Sequence, residues 1–150
     1  MGYNTDWNGI LKTSRPFTQE ELHYWKEMSE MRHDSGIAKD GSRIDREFPS
    51  IWCDFDVTNY NDKTGTYGVF KWNGSEKTYE GKKWIKFFLN KLKEWNKTEK
   101  IYAYGDMEWR GDEEYDMGRV SVVGMEVGGK HTIHIENVEL TYKREATLYI

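Results

Sequence analysis

Two hydrophobic periodicities alternate along the chain and predict a mixed fold of helices and strands. Residues 2–12 have strand character, and a turn ends this segment before Pro16. Thr18 and Glu21 then form a capping box, because the Thr18 hydroxyl can accept the amide of Glu21 while the Glu21 carboxylate accepts the amide of Thr18. A helix over about residues 19–32 follows, with its apolar side chains on one side.

The middle of the chain predicts a hairpin after a long loop. Residues 33–50 are polar and charged, and a loop of this length in a compact domain is usually functional or disordered. In residues 51–57 every second residue is Ile, Cys, Phe or Val, which is the period of a strand. The turn-rich segment 59–65 separates this strand from another over 67–72.

The second half of the chain again alternates between helical and strand patterns. Residues 79–96 carry a broad apolar stripe beside a lysine-rich face, which predicts the strongest helix. A strand over 101–109, an acidic loop over 111–118 and further short strands over 119–123, 125–127, 131–135 and 138–142 follow. This order predicts a ferredoxin-like β-α-β-β-α-β core, an antiparallel sheet with two helices on one face, extended by C-terminal hairpins.

Composition supports one α+β domain spanning residues 1–150. A chain of 150 residues is typical of a single domain. Apolar residues make up only 37%, but aromatic residues make up 15%, and each aromatic side chain buries a large area. The net charge of −4 argues against general binding of nucleic acid, which requires a basic face.

The cysteine content and the hydropathy of the chain indicate the cellular compartment that we expect for it. The single cysteine, Cys53, excludes a disulfide within the chain and a cysteine-based zinc site. Cys53 lies with the apolar positions of its strand, so we expect an inert core residue rather than a nucleophile. The first residues do not resemble a signal peptide, and no apolar run approaches the length of a membrane span. We therefore expect a cytoplasmic protein that does not bind membranes.

Several segments of the chain resemble a known family. Residues 104–112 and 116–122 fit a motif of the form G-x-x-x-W-x-G-(D/E)-x-x-x-D-x-G-x-(I/V)-x-V, and residues 15–18 and 71–77 fit two further segments. The motif is similar to that of a family of small, uncharacterised proteins from bacteriophages, prophages and other mobile elements. The resemblance covers most of residues 1–127. It implies a phage protein in the cytoplasm of a bacterial host, and it assigns no catalytic residue.

The acidic loop is the first candidate site. It holds four carboxylates, those of Asp112, Glu113, Glu114 and Asp116. A fifth, Glu108, lies on the preceding strand. Clustered carboxylates can bind Mg²⁺ or Ca²⁺ or form an acidic patch for a partner. The spacing is not that of an EF-hand, and solvated acids on a hairpin are the simplest interpretation.

Two tryptophans that closely precede glycines are the second candidate. Trp72 and Trp109 could serve as stacking platforms for a base or nucleotide, with Arg110 as the partner of a phosphate. A tryptophan at a strand end more often packs against a helix.

The third candidate lies on the strand predicted over 51–57. Asp54 and Asp56 share one face, together with Trp52. Two such carboxylates can serve in hydrolysis, or they can belong to the solvated face of an antiparallel sheet. If both helices cover the other face, this aromatic and acidic face is where we expect a partner to dock.

These features favour a non-catalytic function. The leading hypothesis is a phage-type accessory protein that binds and inhibits a host macromolecule, such as a CRISPR effector or another component of anti-phage defence. One alternative is a protein that binds and sequesters a nucleotide or nucleic acid through Trp72, Trp109 and Arg110. Another is a metal-dependent hydrolase that uses the acidic hairpin. No cofactor, catalytic residue or resident metal is predicted.

Overall fold

The computed structural model describes residues 3–33, 48–113, 115–125, 130–137 and 144–149. Within them the chain has the mixed α+β fold expected from the sequence, with one antiparallel sheet and two helices. None of these helices combines the length and the apolar character needed to cross a membrane. The elements are β1 (Thr5–Thr13), α1 (Gln19–Glu30), β2 (Phe55–Asp62), β3 (Gly65–Trp72), α2 (Gly81–Trp95), β4 (Ala103–Gly111), β5 (Met117–Gly124), β6 (His131–Asn137) and β7 (Arg144–Tyr149).

The strand order in the sheet is β2-β3-β1-β4-β5-β6-β7, and all neighbouring strands are antiparallel. The first strand in the chain is therefore an interior strand: Leu11 pairs with Phe70 of β3, and Trp7 pairs with Trp109 of β4. The order of the whole sheet differs from that of a four-stranded ferredoxin-like sheet, because β5, β6 and β7 continue it beyond β4.

The predicted capping box starts α1. The amide of Glu21 donates to the Thr18 hydroxyl at 3.2 Å, and the amide of Thr18 donates to the Glu21 carboxylate at 2.8 Å. Both terminal nitrogens of Arg15 also donate to this carboxylate, at 2.7 and 2.9 Å. Burial raises the pKa of Glu21, but these hydrogen bonds outweigh burial and hold the pKa below its ordinary value of 4.5. Glu21 thereby joins the start of α1 to the residues that follow β1.

Both helices cover the same face of the sheet, which we call the inner face. Trp25 of α1 is 1% exposed, and its indole nitrogen donates to the main-chain oxygen of Phe55 at 2.9 Å. Its ring meets Phe88 of α2 edge-on at 5.6 Å between centroids, and Phe88 stacks on Phe70 of β3 at 4.4 Å. The core is thus a continuous set of aromatic rings, which explains how a chain with few apolar residues fills its interior. We call the opposite face of the sheet the outer face.

The hairpin predicted over 51–72 is present with different bounds. Its first strand begins at Phe55 and continues to Asp62, so the segment 59–62, predicted as turn, belongs to β2. Residues 59–62 pair with residues 65–68 of β3, and the turn is reduced to residues 63–64. Asn and Asp disfavour strands locally, but pairing with a neighbouring strand overrides that preference.

Other boundaries differ by a few residues. The helix predicted over 19–32 ends at Glu30, and the helix predicted over 79–96 spans Gly81–Trp95. Met125, the start of a predicted short strand, is not in a strand, and the rest of that segment lies outside the described residues. The strand predicted over 138–142 and most of the loop 33–50 also lie outside them. The last observed strand is β7, which the sequence pattern did not predict.

Candidate functional site

The acidic loop between β4 and β5 is bound to the residues that precede β1. The Asp112 carboxylate accepts the amide of Asn4 at 2.7 Å, and the Asp116 carboxylate accepts the Tyr3 hydroxyl at 2.6 Å. The oxygen of Tyr3 also accepts the amide of Glu113 at 3.0 Å. Two of the predicted acidic side chains are therefore acceptors for hydrogen bonds within the chain. A third, Glu114, lies outside the described residues.

Trp109 and Arg110 point to opposite sides of the sheet. Trp109 is on the inner face and 5% exposed, and its indole nitrogen donates to the Asp116 carboxylate at 3.0 Å. Arg110 is exposed on the outer face, as strand alternation requires. Trp72 is half-buried and donates to the Thr78 hydroxyl at 2.6 Å. The structure therefore does not bring these three side chains together on one surface.

The candidates around the start of β2 occupy different settings. Trp52 is 49% exposed but precedes β2, and Asp54 also lies before the strand. Burial raises the pKa of Asp54, while a hydrogen bond from Ser75 lowers it in part. Asp56 is within β2 and pairs with Lys71 of β3. Because β3 and β1 separate β2 from β4, these residues and the acidic loop form two distinct surfaces.

Cys53 is packed away from solvent, as its alternation predicted. It is 3% exposed, and burial raises the pKa of its thiol to about 12. A thiol with this pKa stays protonated near neutral pH and is a poor nucleophile. His131 is buried while His134 is half-buried, because residues three apart on β6 point to opposite faces of the sheet. Across the ranges that the structure describes, no three His, Cys, Asp or Glu side chains are grouped so that they could hold a metal ion.

The outer face carries an aromatic surface that the sequence interpretation missed. This surface consists of Tyr60 of β2, Tyr67 of β3, Tyr104 of β4 and Lys12 of β1. We call it the tyrosine corner, in a sense unrelated to the motif of that name in Greek-key domains. Tyr60 is 56% exposed and Tyr104 is 45% exposed. Tyr60 pairs directly with Tyr67, and their ring centroids are 5.9 Å apart. Strand alternation extended through residues 59–62 would have revealed this surface.

The side chains of the tyrosine corner hold one another in place. The Lys12 ammonium lies 4.8 Å from the centroid of the Tyr67 ring, within the range of a cation–π contact. The Tyr67 hydroxyl donates to the Asp62 carboxylate at 2.8 Å, and this hydrogen bond is the main reason that the pKa of Tyr67 rises to about 12. Asp62 also accepts the amide of Thr64, so the turn that joins β2 and β3 orients Tyr67. The corner is therefore organised before any partner arrives.

Charges on the rest of the outer face are mixed in sign. Glu108 of β4 and Arg119 of β5 are cross-strand partners, with oxygen and nitrogen 3.1 Å apart. The pairs Asp56 with Lys71 and Asp6 with Arg110 repeat this arrangement across neighbouring strands. Opposite charges placed directly across a ladder stabilise the sheet modestly, and each of these three pairs is neutral as a whole.

No protein-family model, curated protein or solved structure matches this chain. The resemblance to phage-encoded proteins therefore stays a prediction.

Proposed function

We propose that the chain is a non-catalytic binding protein that docks on a partner protein through its outer face, with the tyrosine corner at the centre of the contact. The observation that carries this proposal is the exposure of Tyr60 and Tyr104 on a sheet face opposite both helices. Tyrosine is enriched at the energetic centres of protein interfaces, because its ring provides contact area and its hydroxyl provides a hydrogen bond.

The packing of the corner favours binding at low entropic cost. Tyr67 is already fixed by Lys12 and Asp62, so it loses little conformational freedom when a partner covers it. Val69 lies next to Lys12 in the sheet and is 5% exposed, so the floor of the corner is apolar. Val123 of β5 is 62% exposed. Its neighbour Val122 pairs with Gly105 of β4, so Val123 extends the apolar area beyond Tyr104.

The charge pattern favours a protein over a nucleic acid as the partner. Binding to a phosphate backbone requires an excess of lysine and arginine on the contact surface. On the outer face Arg110 and Arg119 each lie across from a carboxylate, so their positive charges are largely balanced. A mixed rim of charges around an aromatic centre is typical of protein interfaces.

Two finer proposals accompany this one. The resemblance to phage-encoded proteins would make the partner a host component, such as a CRISPR effector or another defence protein, which the chain inhibits. The order β2-β3-β1-β4, with α1 and α2 as the two crossovers, supports a ferredoxin-like core to which β5, β6 and β7 were added.

The test compares two variants in affinity capture from bacterial lysate. Tyr60→Ala combined with Tyr104→Ala removes the exposed rings of the corner. Tyr79→Ala removes a ring that is 48% exposed but lies just before α2, away from the outer face. We expect a protein that is retained by the wild type and by Tyr79→Ala and lost by the double variant. Equal retention of every captured protein by all three baits would overturn the proposal.

A further inference from the structure

A second site lies at the start of α2, on the side of the sheet opposite the tyrosine corner. A cleft of about 420 Å³ opens there between the helix and the strands β1 and β4. We call it the α2 cleft, and its lining includes Trp7, Gly81, Lys82, Lys86 and Trp109. We propose that this cleft binds the phosphoryl group of a ligand. This inference depends on neither the outer face nor a partner protein.

The two helices differ at their first residues. The capping box of Thr18 and Glu21 closes the start of α1. At α2 the cap residue is Glu80, which has a left-handed conformation with φ of 59° and makes no capping hydrogen bond through its side chain. The amides in the first turn of a helix point away from the helix and, together with its dipole, attract anions. The start of α2 is therefore the terminus at which an external anion can replace a capping side chain.

A buried indole at the same place lacks an acceptor. Trp7 is 6% exposed, and its indole nitrogen has no hydrogen-bond partner among the described residues. The ring edge that carries this nitrogen faces Gly81, the first residue of α2. An indole nitrogen only donates, and a buried donor without an acceptor is costly. By contrast, four other indole nitrogens donate to acceptors within the chain at 2.6–3.0 Å, namely those of Trp25, Trp72, Trp84 and Trp109.

The absence of a side chain at Gly81 permits this arrangement. A Cβ atom at Gly81 would lie 2.5 Å from the Trp7 ring, closer than Cβ contacts in proteins. Glycine therefore lets the indole edge approach the first turn of α2. The indole edge of Trp7 and the first turn of α2 therefore meet at the border of the cleft, which both of them line.

The charges around the cleft favour an anion with more than one oxygen. Lys82, Lys83 and Lys86 border it on the helix side, and the ammonium of Lys82 lies 4.6 Å from the centroid of the Trp109 ring. Two carboxylates also border the cleft, but both are already engaged. The Glu80 carboxylate lies 3.1 Å from the Lys83 ammonium, while Asp116 accepts hydrogen bonds from Tyr3 and Trp109. Lys86 forms no ion pair within the ranges that the structure describes, so its charge is available to a ligand.

The site can be tested with inorganic phosphate and ¹⁵N-labelled protein. We expect saturable shifts of the Trp7 indole signal and of the amides of residues 81–83, compared with chloride at equal ionic strength. The amides of residues 18–21 at the capped start of α1 serve as the internal control and stay in place. Trp7→Phe keeps an aromatic ring, although a smaller one, and removes the indole donor, and Lys86→Gln removes one charge. Each should raise the dissociation constant about tenfold, as the loss of one charge-assisted hydrogen bond predicts.

Lys93→Gln provides the matched control, because Lys93 is exposed in the last turn of the same helix. Three results would overturn the site: no saturable shift in the wild type, equal shifts at the starts of both helices, or an equal loss of affinity in Lys93→Gln and Lys86→Gln. If Trp7→Phe alters signals throughout the spectrum, the comparison of the two lysine variants decides the question.

Discussion

The two faces of the sheet are both rich in aromatic side chains, yet they use them differently. On the inner face Phe70 and Trp25 are almost fully buried, and the polar nitrogen of Trp25 is satisfied within the core. On the outer face Tyr60 and Tyr104 are half exposed, and the hydroxyl of Tyr67 is hydrogen-bonded to Asp62, the last residue of β2. Phenylalanine and tryptophan therefore stabilise the fold here, while tyrosine on the opposite side remains available to a partner. Aromatic content alone does not distinguish the two roles, but strand alternation does.

Truncation of Trp25 should have the largest effect. Trp25→Ala removes the ring that links α1 to Phe70 and Phe88, together with the hydrogen bond to Phe55. We expect the free energy of unfolding to fall by about 3–5 kcal/mol, as for other large core truncations. Urea denaturation followed by circular dichroism measures this change. A loss below about 1 kcal/mol would show that the inner face is less tightly packed than the contacts indicate.

Removal of the Glu21 side chain should have an intermediate effect. Glu21→Ala breaks the capping box and leaves Arg15 without its main partner, so we expect a loss of about 1.5–3 kcal/mol at neutral pH. The pKa of Glu21 is lower in the folded state than its ordinary value of 4.5. Its contribution is therefore complete above that value and disappears as the pH falls through the folded pKa.

The matched control for this position is Glu20→Ala, because Glu20 is exposed in the same first turn. Unfolding free energies of the wild type and both variants, measured by urea denaturation between pH 7 and pH 3, separate the two contributions. The difference between the wild type and Glu21→Ala should shrink in acid. A difference independent of pH would contradict a stabilising role for the ionised carboxylate.

The smallest effect on stability should come from the tyrosine corner. Tyr60→Ala and Tyr104→Ala remove rings that contact solvent, so each should change the free energy of unfolding by no more than about 0.5 kcal/mol. Thermal and urea unfolding provide the measurement, with Tyr79→Ala as the control. A loss as large as that of Trp25→Ala would mean that the outer face is structural, and the comparison between the faces would fail.

Local signals in the sequence predicted the helices better than the surfaces. The capping box places the start of α1 correctly, because its hydrogen bonds join residues only three positions apart. The sequence pattern predicts a turn around Tyr60, because the surrounding Asn and Asp disfavour strands, whereas the ladder with β3 makes the segment extended. The hydrogen bond from Tyr3 to Asp116 joins residues far apart in the chain, and no local pattern in the sequence predicts it. The α2 cleft likewise depends on Trp7 meeting the start of a distant helix.

The interior position of β1 has a consequence for synthesis on the ribosome. The strand is made first, but its register with β4 joins Thr5 to Gly111 and Thr13 to Ala103. At a translation rate of roughly 5–20 residues per second, β1 waits on the order of 5–20 s for that partner to be made. Its other neighbour, β3, ends at Trp72 and is made earlier, so it is the edge facing β4 that lacks its strand throughout this interval. An exposed edge can pair with other chains. The polar residues Asn8 and Lys12 therefore lie on a strand whose edge facing β4 must stay unpaired in the nascent chain until most of the protein has been synthesised.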